Sequence, residues 1–261
     1  MCALPTRFMR SGLCLLIPIV SYLICVSSVQ AQRAPAQDWL ADLDRTLNAP
    51  SGLMTGRLTV VSKSGRSLIW DFNTYKKGTD ILYLFSSRSR DLELKLLYKR
   101  AGEICWIWDR LRASLFKKRD LEKFESILGS GFAYADLSGL SYESGYDPIS
   151  LKPGQGTMIL KIKPVSESGY TEIVVQMDAT RKRPIRMDFH GKDKVLVKTL
   201  KLGYDLPLYN PRQRRREYLV SPVLMDVLDL ETGRISRIEF FSFDPNVSPD
   251  DSLFNPDFLN R

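Results

Sequence analysis

The sequence predicts a mainly β fold: a single, strongly curved antiparallel sheet of about 10–11 strands, with two helices left to fill or cap its concave side. Three observations point there. Apolar and polar residues alternate with period two through most of the chain. Glycine-containing turn signals separate the alternating runs. Only two segments carry a helical stripe. Roughly ten strands are too many for a flat open sheet, so the sheet must curl.

The chain opens like an export signal. Arg7 and Arg10 form a basic start, and an apolar run follows from Gly12 to Val26. The small residues Val29-Gln30-Ala31 then stand before Gln32. This pattern predicts a signal peptide over 1–31, cleaved near Ala31, and export. The apolar run is broken by Pro18 and falls short of the roughly 20 residues a spanning helix needs. An uncleaved anchor therefore fits less well. Lipid attachment at Cys25 is a second alternative, but Ile24 stands where such signals carry a small residue.

Cleavage removes Cys2, Cys14 and Cys25 and leaves Cys105. The remaining chain, 32–261, then has no internal disulfide and must hold together by its core. Roughly 230 residues suffice for one large core, so a single domain is expected. Of 38 Lys+Arg and 30 Asp+Glu, only Arg7 and Arg10 lie in the leader, so the exported chain stays basic. The excess sits in two runs, Lys117-Lys118-Arg119 and Arg212 to Arg216, read as solvated loops. Charge of this sign could suit an anionic membrane surface or a nucleic acid. No interleaved aromatic and basic signature for nucleic acid is present.

Residues 36–48 predict a short helix, with Trp39, Leu40, Leu43 and Leu47 at helical spacing and Pro50-Ser51-Gly52 as its stop. Strands follow. Their apolar faces are Leu58 and Val60; Leu68, Trp70 and Phe72; Leu92, Leu94 and Leu96; Ile104, Trp106 and Trp108; Met158, Leu160 and Ile162; Ile173, Val175 and Met177; and Ile185, Met187 and Phe189. Turns are expected at Lys63-Ser64-Gly65, Lys77-Gly78-Thr79, Arg100-Ala101-Gly102, Gly191-Lys192-Asp193 and Glu231-Thr232-Gly233. Val223 to Leu230 and Ile235 to Phe243 are apolar on both faces, and a helix covering the second face is the simplest expectation. A second helix is expected from Asp120, with Leu121, Phe124, Ile127 and Leu128 as its stripe and Gly129 as its stop. The Gly-, Ser- and Tyr-rich stretch 129–147 and the stretch 204–217 read as loops.

Catalytic constellations are thin, and no enzyme activity is expected. His190 is the only histidine and has no evident orienting partner. Cys105 lies between Ile104 and Trp106 and reads as an inert packing thiol. Histidine and cysteine are too few for a metal set, so no metal or cofactor is expected. Gly154-Gln155-Gly156 joins two strands and is no phosphate cradle. What remains is an inward inventory of large and flexible apolar residues, methionine among them, which adapts to irregular partners. These residues can simply fill a core, or they can line a cavity under the lid. The candidate lining comprises Leu58, Val60, Leu68, Trp70, Phe72, Leu94, Leu96, Ile104, Trp106, Trp108, Met158, Leu160, Ile162, Ile173, Val175, Met177, Ile185, Met187 and Phe189. Leu121, Phe124 and Ile127 are the candidate lid contacts.

The order of elements resembles the periplasmic outer-membrane lipoprotein-sorting (LolA-like) family. Three patches carry it: Gly129 to Leu137; Glu172 to Asp178 followed by Arg183 to Phe189; and Ser221 to Met225, Glu231 to Arg234 and Pro249 to Phe254 with Leu259. The resemblance spans about residues 36–261. It implies an incomplete β-barrel with a lid over an apolar cavity, and a monomeric carrier of acylated lipoproteins or lipids towards the outer membrane. An inner-membrane ABC exporter and an outer-membrane acceptor are the partners it implies. An envelope lipid- or lipoprotein-sensing module of the same fold is the alternative. The best-known carriers use a strand arginine that bonds the lid. Arg57 is near that place but faces away from Leu58 and Val60, so the role does not carry over. The run Arg212 to Arg216 matches no family role.

Overall fold

The computed structural model describes residues 35–87 and 92–260. The expected leader, its cleavage point and Cys25 lie outside the described residues. Helix α1 spans 35–47, close to its expected bounds. Six strands then form an antiparallel meander: β1 (Gly52–Val61), β2 (Ser67–Lys77), β3 (Asp80–Ser87), β4 (Leu92–Lys99), β5 (Ile104–Asp109) and β6 (Ser114–Lys118). A second meander comprises β7 (Tyr146–Pro153), β8 (Thr157–Pro164), β9 (Glu172–Asp178), β10 (Arg183–His190) and β11 (Leu196–Gly203). β12 (Leu208–Asn210) and β13 (Arg215–Glu217) pair as a short hairpin that touches the sheet edge-on, Tyr209 opposite Ser242. β14 (Leu224–Asp229) and β15 (Ile235–Asp244) join the two meanders by pairing β11 on one side and β1 on the other. The order is β6-β5-β4-β3-β2-β1-β15-β14-β11-β10-β9-β8-β7, and among the described residues its two ends are unpaired. This is one large antiparallel sheet, unclosed, as expected.

Strands outnumber the expectation because some carry no clean alternation. In β3, Ile81, Tyr83 and Phe85 face the main core while Leu82 faces a second cluster on the other side, so the run is apolar throughout. The predicted turns hold: Gly65, Gly78, Gly102 and Gly233 all sit at positive φ between paired strands. Gly56 marks a bulge against β15, where an added Cβ would lie 2.5 Å from the Phe72 ring.

The inner face carries the main core. Leu58, Val60, Trp70, Phe72, Leu94, Leu96, Leu160, Ile162, Ile173, Val175, Met177, Met187 and Phe189 are buried in it, with Leu68 and Met158 at its margin. From α1, Ala36, Leu40 and Leu43 join them. Full burial of one such aliphatic or aromatic side chain contributes about 1.5–3 kcal/mol.

The structure corrects several expectations in the sheet. In β5, Cys105 and Ile107 face the core, while Trp106 and Trp108 pack on the outer face. The register decides this: Leu96 pairs with Ile107 and Tyr98 with Cys105, whereas Leu97 pairs with Trp106 and Lys95 with Trp108. Directly opposed residues share a face, so Leu96 and Trp106 cannot both point inward. Ile104, opposite Lys99, follows the tryptophans outward. The outer residues are covered by the C-terminal turns, through Leu253, Phe254, Phe258 and Leu259, and Lys95 lies over the Trp108 ring at 4.6 Å. Second, Ile185 is outside the core clusters. β9 pairs Met177 with Pro184 and Gln176 with Arg186, so Ile185 is the extra residue of a bulge. Third, among the described residues no helix covers the outer face of β14 and β15; Leu228, Ile235 and Phe241 are exposed there. Fourth, Lys117 and Lys118 lie in β6 rather than in a loop, and Lys118 pairs with Glu125 at 2.6 Å.

Candidate functional site

The segment 120–145 crosses the inner face as a cover, but not as the expected helix. Asp120–Phe124 is a single 3-10 turn, and Glu125 is already extended. The chain then doubles back: Ser126 bridges Ala133, and Ile127 N–H donates to the Phe132 carbonyl at 2.8 Å. Leu128 and Gly129 take positive φ in this turn. The reversal buries Ile127 and Phe132 completely, which one short helix could not do. A helix this short has little intrinsic stability, so tertiary burial decides its conformation. Of the expected lid contacts, Ile127 and Phe124 pack on the core and Leu121 is 47% exposed.

Three sets of polar contacts stand out among those that hold the cover. The Asp44 carboxylate of α1 accepts from Ser141 Oγ, Tyr142 N–H and Glu143 N–H at 2.5, 2.6 and 3.1 Å, capping the one-turn helix α2 (Tyr142–Gly145). Arg234 donates to the Gly129 carbonyl at 3.0 Å, and Gly131 N–H donates to Ser236 Oγ at the same distance. The third set is buried. Lys198 of β11 pairs with Asp136 of the cover at 2.6 Å, with side chains 6% and 7% exposed. The same Asp136 oxygen accepts from Ala133 N–H at 2.7 Å. Lys198 also donates to the Tyr170 hydroxyl and lies over the Phe189 and Tyr170 rings at 4.3 and 4.7 Å.

Beneath the cover lies a cavity of about 90 Å³. Its walls are Leu47 from α1, Phe124, Leu137, Leu140, Tyr142 and Tyr146 from the cover and its flank, and Met187, Phe189, Leu200, Met225 and Phe240 from the sheet. Asp136 and Tyr170 also reach it. Burial raises the Tyr142, Tyr146 and Tyr170 phenols, and the Asp136 charge adds to all three. One end is polar. Lys76 donates to the Ala49 carbonyl at 2.5 Å, and burial lowers its pKa. Beside it, Thr74 Oγ1 is buried with no partner among the described residues.

Of the candidate lining residues, the structure brings Met187 and Phe189 to this cavity, with Phe124 from the lid set. The other inner-face residues fill the core in this state. Asp136, Lys198, Tyr142, Tyr146 and Tyr170 escaped the sequence reading of the site. Lys198 sits in β11 among alternating residues and looks like a solvated lysine. Arg57 pairs with Asp71 at 2.8 Å and lies over Phe241, away from the cover. His190 is half-buried at the end of β10 and Cys105 is fully buried. Among the described residues no group of three His, Cys, Asp or Glu could hold a metal, and no helix is long and apolar enough to cross a membrane.

A family described only as an uncharacterized protein matches residues 78–261. The chain belongs to that family. No curated protein matches it. Solved structures share its fold. A DUF1329 family protein from Desulfovibrio piger is 18% identical with a TM-score of 0.71, over 87% of this chain and 99% of that one. A domain provisionally assigned to outer membrane lipoprotein sorting, from Vibrio parahaemolyticus, is 19% identical with a TM-score of 0.68, over 89% and 99%. A LolA superfamily protein from Nitrosomonas europaea is 16% identical with a TM-score of 0.66, over 85% and 98%. The fold is LolA-like.

Proposed function

We propose that this chain is an exported carrier that binds the acyl part of a lipoprotein or lipid in the cavity beneath its cover. The observation that carries the reading is the cavity itself: apolar and aromatic along its length, polar at the Lys76–Thr74 end, and roofed by a segment that the buried Lys198–Asp136 pair ties to the sheet. An acylated amphiphile has that distribution of apolar body and polar end. At about 90 Å³ the space is well below the roughly 300–1,000 Å³ of ordinary ligand pockets. Cargo entry therefore requires the cover to lift, and Lys198–Asp136 is the contact that must break. Export through the leader 1–31 and hand-over between membrane partners belong to the same reading.

Binding can be measured by displacing a fluorescent long-chain acyl probe. Each methylene buried is worth about 0.8 kcal/mol, so affinity should rise about fourfold per methylene until the cavity is filled. Ala135 is half-exposed and lines the cavity. Ala135→Phe should fill space there and weaken binding at least tenfold while the protein stays folded. Absence of saturable probe binding, or binding indifferent to chain length, would remove the reading.

A further inference from the structure

We propose that the β12–β13 hairpin is a docking site for an anionic lipid bilayer. Between residues 206 and 220 the chain carries four arginines and one glutamate. Arg212 pairs with Asp244 at 2.9 Å and Arg215 with Glu217 at 2.8 Å. Arg214 and Arg216 are exposed and have no ion pair among the described residues. Beside them, Tyr218, Val220, Leu206 and Tyr209 are 71%, 65%, 53% and 44% exposed.

The base of the hairpin is rigid. Leu208 is buried with Met54, Val223 and Phe243, and Asn210 Oδ1 caps the turn by accepting from Arg212 N–H and Gln213 N–H, both at 3.1 Å. The hairpin thus presents an exposed face on which Arg216 stands opposite Tyr209, with Arg214 and Tyr218 two residues to either side of it along the chain and Leu206 and Val220 beyond the strand ends. Guanidinium groups take phosphate oxygens in a bidentate fork. Tyrosine favours the headgroup level, where one end of the ring is apolar and the other wet. Short aliphatic side chains beside it can enter the same layer. The complementary partner is a surface of phosphates over hydrocarbon. After β13 the chain runs through Tyr218 to Val220 into Ser221 and Pro222, which line the cavity, so a bilayer docked on this face would lie beside the cavity wall. The inference stands on the hairpin and does not require the cavity to hold a lipid.

Flotation of the full chain with vesicles tests it. Mixed phosphatidylglycerol–phosphatidylcholine vesicles should carry the protein at low salt and release it as salt rises; pure phosphatidylcholine should not carry it. Each arginine near such a surface is worth roughly a fivefold change in partitioning, so Arg214→Ala/Arg216→Ala should weaken it about 25-fold. Tyr218→Ser/Val220→Ser should weaken it several-fold and leave the salt dependence unchanged. All four residues are exposed, so circular dichroism should report an unchanged fold. Lys192→Ala/Lys194→Ala, at the exposed β10–β11 turn, should leave binding intact. No flotation by the wild-type chain, equal flotation with neutral vesicles, or equal loss in the lysine variant would each overturn the proposal.

Discussion

Asp136→Asn should cost about 3 kcal/mol of stability and should loosen the cover before the sheet. The substitution keeps size and shape and keeps an oxygen to accept from Ala133 N–H. What it removes is the charge facing Lys198. At 2.6 Å the pair attracts by about 6 kcal/mol at an effective dielectric of about 20. Desolvation offsets much of that, but losing one partner of a buried pair leaves the other charge uncompensated, at about 3–5 kcal/mol. The rings of Phe189 and Tyr170 still face the ammonium and place the loss at the lower end. A domain with about 5–15 kcal/mol survives this. Urea unfolding reads the global loss, and hydrogen exchange over 126–139 against 157–203 reads the local one. Lys198→Met added to Asp136→Asn should recover all but about 1 kcal/mol, because no charge is then buried alone. A single-variant loss below about 0.5 kcal/mol, or a double variant no better than the single, would refute the latch.

Two further outcomes follow from the same geometry. Burial raises the phenols of Tyr98, Tyr142 and Tyr170 well above 10.0 and pushes Tyr134 and the Cys105 thiol up to about 12. The unfolded chain ionises first, at about pH 8.5 for the thiol and about 10 for the phenols. Stability is therefore complete below those values and falls as pH rises towards the folded ones; a urea midpoint unchanged to pH 11 would contradict it. Gly102 sits at φ +79°, where an added Cβ would lie 2.3 Å from Ser138 Cβ in the cover. Gly102→Ala should lower stability by about 1–3 kcal/mol in thermal melts, and an unchanged melting temperature would show that the cover does not rest on that turn.

Much of the fold was legible in the chain because period two survives wherever one face is dry and the other wet. Leu58 and Val60, Trp70 and Phe72, Leu160 and Ile162, and Ile173, Val175 and Met177 all announced their face correctly. The glycine turns did so too, since left-handed backbone asks for glycine. Strands that are apolar on both sides kept their direction hidden. Trp106 and Trp108 outweigh Cys105 and Ile107 in any reading by size, yet pairing with β4 sends them outward. Register is a relation between two strands, and a slip of one residue exchanges the faces. The cover shows the same limit. The stripe of Leu121, Phe124, Ile127 and Leu128 suggested a helix, and only the need to bury Ile127 and Phe132 together turned the chain back on itself. The candidate site was hidden for a further reason. Asp136 and Lys198 lie 62 residues apart, and each alone reads as an ordinary surface charge. The chain by itself determined a curved sheet with an apolar inner face, because alternation is a local property. Which residues close the cavity, and which charge latches it, was decided by tertiary structure, because burial and ion pairing exist only once distant strands meet.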